Sequence, residues 1–144
     1  DGWIHVCTVP MMWLWFVLGC TESPPKESST QRFPVRQVQV GGKQYTVEFA
    51  CKEHEVALGL RYRTLQENEG AILCASSGAV TMKKMKSPIA VAFVSSGKQI
   101  VSVHELGLES ADLPLAPHTK WVWEMPKGWF AQNSIREGMQ MDGL

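Results

Sequence analysis

Glu53-His54-Glu55 places three potential metal ligands side by side, yet the spacing is wrong for a shared ion. Neighbours at i and i+1 diverge around a helix, and no second histidine follows at i+4. A solvated helix face is the simpler reading. His104-Glu105 and His118 lack any spacing rule that would define a zinc site. Serines are plentiful (Ser76, Ser77, Ser87, Ser95, Ser96 and Ser102), but no Gly-x-Ser-x-Gly elbow accompanies them, which argues against a serine hydrolase. Neither a Gly-x-x-x-x-Gly-Lys loop nor a Gly-x-Gly-x-x-Gly turn is present to cradle phosphates. Cys51 and Cys74 are too far apart for a Cys-x-x-Cys redox pair; buried free thiols are the favoured expectation, with a disulfide as the alternative. The expectation is a protein without metal or other cofactor.

Charge and aromaticity supply a second set of candidates. Lys83, Lys84 and Lys86 form the one concentrated basic patch, with Arg61 and Arg63 nearby in sequence. If this stretch is a strand, Lys84 and Lys86 face the same side and attract phosphate or an acidic partner. The plainer account is an edge strand kept from aggregating by its lysines. Trp121 and Trp123 flank Val122, so on a strand both indoles share a face, either as core or as an exposed platform for sugars or a protein. The candidate binding residues are therefore Arg61, Arg63, Lys84, Lys86, Trp121 and Trp123. Lys+Arg and Asp+Glu both number 14, so no global field draws nucleic acid to the chain.

These side chains must be positioned by short strands. Val38 and Val40 alternate with glutamines, Gly41-Gly42 supplies a turn, and Tyr45, Val47 and Phe49 alternate on the return, which predicts a hairpin. Residues 52–60 are the early helix candidate, with Val56, Ala57 and Leu60 on one face and poor capping. Short strands are expected at 71–74 and 79–82 around Ser76-Ser77-Gly78, and 89–94 should pair with 99–104 across Ser95-Ser96-Gly97-Lys98. A further strand is expected at 118–125, then a short helix over 126–133 with proline in its first turn. The pattern predicts a compact, mainly β antiparallel sandwich or barrel with one or two short helices, rather than a parallel α/β sheet.

The N-terminal 34 residues read differently. Met11 to Leu18 is an uncharged apolar run shorter than the roughly 20 residues that span a bilayer. Val17-Leu18-Gly19-Cys20 resembles the box after which bacterial lipoproteins are cleaved, with the Cys20 thiol as acyl acceptor. Residues 21–34 are mostly polar and turn-forming and are expected to be a flexible tether, leaving 35–144 as one domain. This places the protein in the cell envelope, periplasmic or otherwise extracytoplasmic, held at the membrane by lipid on Cys20.

From about Val38 to Met141 the chain resembles the domain of unknown function 192 family. The resemblance rests on Gly59, Leu60 and Arg63 of a Gly-Leu-Met-x-Arg element, Gly70 of a Glu-Gly turn, and Met82, Lys83, Pro88 and Phe93 of a Trp-Met-Lys-Asn-Thr-x-x-Pro-Leu-Asp-x-x-Phe element. Gly97, Glu124, Gly128, Ile135 and Gly138 continue it. It implies a compact β fold of jelly-roll type and no established reaction. Thr81, Lys84, Ala90 and Met139 stand where the family pattern has Trp, Asn, Asp and Asp. Arg63 and Glu124, charged positions that match the pattern, are expected to form a structural ion pair.

The functional expectation is a monomeric, non-catalytic envelope module that binds a small molecule or a protein. The alternative is a hydrolase-like enzyme drawing acid-base groups from Glu124, Glu105, His104 and Arg63, which requires those groups to converge in one pocket.

Overall fold

The computed structural model describes residues 31–144. Alternation builds the first hairpin: β1 (Val35–Val40) and β2 (Lys43–Ala50) pair antiparallel, with Val38 opposite Tyr45. Gly41 and Gly42 have φ of +59° and +78°, the left-handed pair that a tight two-residue turn needs. From β2 the chain passes through α1 (Glu53–Leu58), where Lys52 N–H donates to the Glu55 carboxylate and closes the helix start that the sequence left poorly capped. It then reaches β3 (Ala71–Cys74), which lies parallel to β2, so this link is a crossover.

The remaining elements are β4 (Ala79–Val80), β5 (Ile89–Ser95), β6 (Ile100–Leu106), β7 (Leu113–Pro114), β8 (Thr119–Pro126), α2 (Trp129–Gln132) and β9 (Met141–Asp142). Seven strands form one sheet in the order β6-β5-β8-β3-β2-β1-β9, while β4 and β7 form a separate ribbon. The ends of the large sheet meet. Beside its pairing with β1, the β9 segment reaches β6 through Ile100 N–H to Met139 O (2.9 Å), Gly138 N–H to Ile100 O (2.8 Å) and Met141 N–H to Lys98 O (2.8 Å). The curled sheet is thereby joined into a barrel, which leaves its outer strands partnered where they meet.

Both faces of the sheet are buried over much of its area. The inner face collects Val38, Val40, Val47, Ile72, Trp121, Trp123 and Met141 with Phe130 and Ile135. Ala90 and Ala92 are small here because Trp123 lies opposite Ala92 in register, and Trp123 meets Phe130 edge to face at 5.0 Å. The outer face packs Leu73, Val91, Phe93 and Val122 beneath Phe33, Leu60 and Met82 from the connecting loops. Ile89 to Val94 is therefore buried at every position, which explains its continuous apolar run.

Several expectations are corrected. The strand expected at 79–82 stops at Val80 and pairs with β7, not with β3. Beyond it Lys84 has φ +65° in a turn, so Lys84 and Lys86 do not share a strand face. Asparagine tolerates this left-handed backbone better than lysine, a backbone reason for the family pattern's residue at the position. Of the stretch 21–34 expected to be a tether, only 31–34 lie among the described residues, and these are held to the domain. Phe33 is buried in the outer core, and the Arg32 and Phe33 N–H groups both donate to the Glu48 carboxylate. The helix expected from Pro126 is confined to Trp129–Gln132, because β8 runs through Pro126.

Candidate functional site

Register across the outer face fixes one row of side chains. Glu48 pairs with Ala71, Ala71 with Glu124, Glu124 with Val91, and Val91 with His104. Paired residues project to the same side, so two carboxylates and an imidazole share one face, each separated by a small apolar residue and by roughly 10 Å, two strand spacings. Their surroundings differ completely.

Glu48 is tied. Arg63 Nη1 and Nη2 donate to its two oxygens at 3.0 and 2.7 Å, and Nη2 also reaches Glu69 at 3.2 Å. Arg63 and Glu48 are both buried. This corrects the expected Arg63–Glu124 pair: the loop after α1 carries Arg63 to the β2 side of the row, and β3 stands between Glu48 and β8. The close approach of β3 and β8 also explains Gly70, where a Cβ would collide with the Glu124 carbonyl and the Met125 sulfur.

Glu124 is buried and, among the described residues, makes no hydrogen bond or ion pair. It lines a cavity of about 250 Å³ between α1 and the β4–β7 ribbon, walled by Val56, Leu73, Val80, Leu115 and Val122. Burial pushes its carboxyl up to about 7, against the opposing pull of the Arg61 guanidinium. Arg61 lines the same cavity, half-buried, and among the described residues its guanidinium makes no hydrogen bond or ion pair of its own. Thr81 also lines it. The family pattern's tryptophan at that position is a far larger side chain, so threonine leaves space at the wall.

The other candidates do not join this site. His104 lies against Phe93, with Nε2 2.9 Å from Ser102 Oγ, and Arg63 is occupied by Glu48 and Glu69. The enzyme constellation of Glu124, His104 and Arg63 therefore shares a face but not a pocket. Glu105 accepts from Gly128 N–H at 3.0 Å, and exposed His118 sits in the turn before β8. Trp121 and Trp123 are buried on the inner face, which excludes the exposed aromatic platform. Lys84 and Lys86 are exposed in the loop between β4 and β5. Among the described residues no three His, Cys, Asp or Glu side chains are grouped to hold a metal ion.

Cys51 and Cys74 form a disulfide with Cα atoms 4.7 Å apart, correcting the expectation of buried thiols. Ala50 and Leu73 are paired neighbours on parallel strands, so the next residue of each strand arrives side by side. The bridge fastens the start of the segment that carries α1 and Arg61 to β3. The sequence pointed to Arg61 and Glu124. It gave no sign of Glu48, which looks like a solvent-facing residue of an alternating strand until the outer face is known to be covered, nor of the walls that α1 and β7 contribute.

The fold and site define a class: a small joined β barrel with a mostly apolar cavity on its outer face and, among the described residues, an unpartnered carboxylate in the cavity wall. The sequence matches the family model of DUF192, described as Uncharacterized ACR, over residues 36–143, and the chain belongs to that family. No curated protein matches it. Among solved structures it is similar to a protein of unknown function from Novosphingobium aromaticivorans, at TM-score 0.70 and 23% identity over 86% of this chain and 99% of that one. It is also similar to a Sinorhizobium meliloti protein designated a "putative transcription regulator", at TM-score 0.67 and 20% identity over 77% of this chain and 95% of that one. At these identities the likeness is one of fold.

Proposed function

We propose that this protein is a non-catalytic envelope module that binds a small amphipathic molecule in the cavity between α1 and the β4–β7 ribbon. The observation that carries this reading is Glu124, a buried carboxylate without a partner among the described residues, in a wall that is mostly apolar. A buried ionisable group costs stability unless it is compensated, so a ligand group that meets Glu124 binds where the protein has already met the cost of desolvation. Catalysis needs a second acid-base group within reach, and His104 and Glu105 are engaged elsewhere. The Lys83, Lys84 and Lys86 loop lies outside the cavity and is read as a solvated surface.

Cys20 and the apolar run before it lie outside the described residues. Attachment to the membrane through lipid on Cys20 is part of the proposal, supported by the Val-Leu-Gly-Cys box. The Cys51–Cys74 disulfide supports an oxidising compartment in the same direction. Among the described residues no helix is long and apolar enough to cross a membrane.

Titration with 3-methylbutan-1-ol, a neutral amphiphile small enough for the cavity, tests the binding reading by amide chemical shifts. Changes should centre on Val56, Thr81 and Val122 and vanish in Ala57→Phe, which fills the cavity from an exposed wall position. Shifts scattered over the surface, or unchanged by Ala57→Phe, would remove the pocket as a ligand site. For the anchor, Cys20→Ser in a bacterial host should move the protein from membrane to soluble fractions; unchanged partitioning would refute it.

A further inference from the structure

The cavity holds two opposite charges that do not satisfy each other. Glu124 is buried and makes no hydrogen bond or ion pair among the described residues. The Arg61 guanidinium likewise makes none, although it is near enough to favour the ionised form of Glu124. The contrast with Arg63 is informative, because that guanidinium closes on Glu48 at 2.7 Å a short distance along the same loop. In a low-dielectric setting two separated opposite charges gain most from a molecule that meets both. A ligand with one net charge would leave one of them uncompensated, and an uncharged apolar ligand would leave both.

We propose that the cavity takes a small zwitterion: an α-amino acid with an apolar side chain. Its ammonium group meets the Glu124 carboxylate, its carboxylate meets the donor fork of Arg61, and its side chain lies against Leu73, Val80, Leu115 and Val122. Size supports this class. A cavity of about 250 Å³ suits a molecule near leucine in size. The hydroxyls of Ser77 and Thr81, also in the lining, add hydrogen-bonding capacity without altering the charge pattern.

The assignment rests on the cavity being a ligand site, and the experiment separates failure of the one from failure of the other. Calorimetric titrations at pH 7.5 compare leucine with 3-methylbutan-1-amine, which lacks the carboxylate, 4-methylpentanoic acid, which lacks the amine, and 3-methylbutan-1-ol. Leucine should bind about 10- to 100-fold more tightly than either singly charged analogue, the range expected for losing one charge-assisted hydrogen-bonded contact. Glu124→Gln should lower leucine affinity towards that of the acid. Arg61→Ala should lower it towards that of the amine, and Arg61→Lys, which keeps charge but not the fork, should fall between. Circular dichroism establishes that each variant is folded, and Ala57→Phe should abolish binding of every probe. If an analogue binds as well as leucine, or if leucine affinity survives both charge substitutions, the zwitterion assignment is overturned while the ligand site stands. If no probe binds the wild-type protein at millimolar concentration, both readings fall and the cavity holds water.

Discussion

Two carboxylates on one row of the outer sheet face, Glu48 and Glu124, are alike in burial and opposite in satisfaction. Glu48 holds Arg63 by two hydrogen bonds and accepts the N–H groups of Arg32 and Phe33, so its charge organises the N-terminal approach to the barrel. Glu124, across β3, lines a cavity and has no hydrogen-bond or ion-pair partner among the described residues. The difference teaches that burial of an ionisable group does not by itself identify its role. The hydrogen-bond inventory does: a saturated acid belongs to the fold, whereas an unsatisfied acid in a cavity wall marks a place for something else.

The largest expected effect breaks the saturated side. Arg63→Ala leaves Glu48 and Glu69 without their shared guanidinium and should destabilise the fold by about 3–5 kcal/mol in urea unfolding. Adding Glu48→Gln should then cost little more, since the pair has already been broken. Additive losses in that cycle would show that the two residues do not act as a unit.

Glu124 should respond with the opposite sign. Its carboxyl is raised from 4.5 to about 7, so between those values the folded chain holds a proton that the unfolded chain has released. Stability from this group is therefore fully present below about pH 4.5, falls as pH rises towards 7, and is level above it, by an amount on the order of 3 kcal/mol. Glu124→Gln removes the titration. The variant should match the wild type near pH 4.5 and exceed it at pH 8, measured as a difference in unfolding free energy so that other titrating groups cancel. A constant difference across that range would contradict the unpartnered state of Glu124.

The smallest effect sharpens the boundary between the two. Trp129 Nε1 donates to Asn68 Oδ1 at 3.0 Å, which fastens the loop that presents Glu69 to Arg63. Asn68→Ala should cost about 1 kcal/mol, the net worth of an ordinary hydrogen bond, and should reduce the added loss caused by Glu69→Gln. It should leave binding in the Glu124 cavity unchanged, because Asn68 is not part of its lining. A loss of probe affinity in Asn68→Ala would mean that the two sites are coupled.

What the sequence determined by itself was local. Alternating valines and Gly41-Gly42 specify the first hairpin, and the runs on either side of Ser95 to Lys98 specify the second, because short-range pairing is written in side-chain period and turn residues. The family's ordered glycines and Glu124 were also legible. Tertiary structure alone decided which acid is tied and which is open. The parallel β2–β3 pairing, the Cys51–Cys74 bridge it brings about, the covering of the outer face and the joining of β6 to β9 all unite residues distant in the chain. Alternation records that a strand has two faces, but it does not record what will cover the second one. For Glu48 and Glu124 that covering is the physical difference: the loop after α1 brings Arg63 to the first, and places Arg61 with the second in the lining of a cavity.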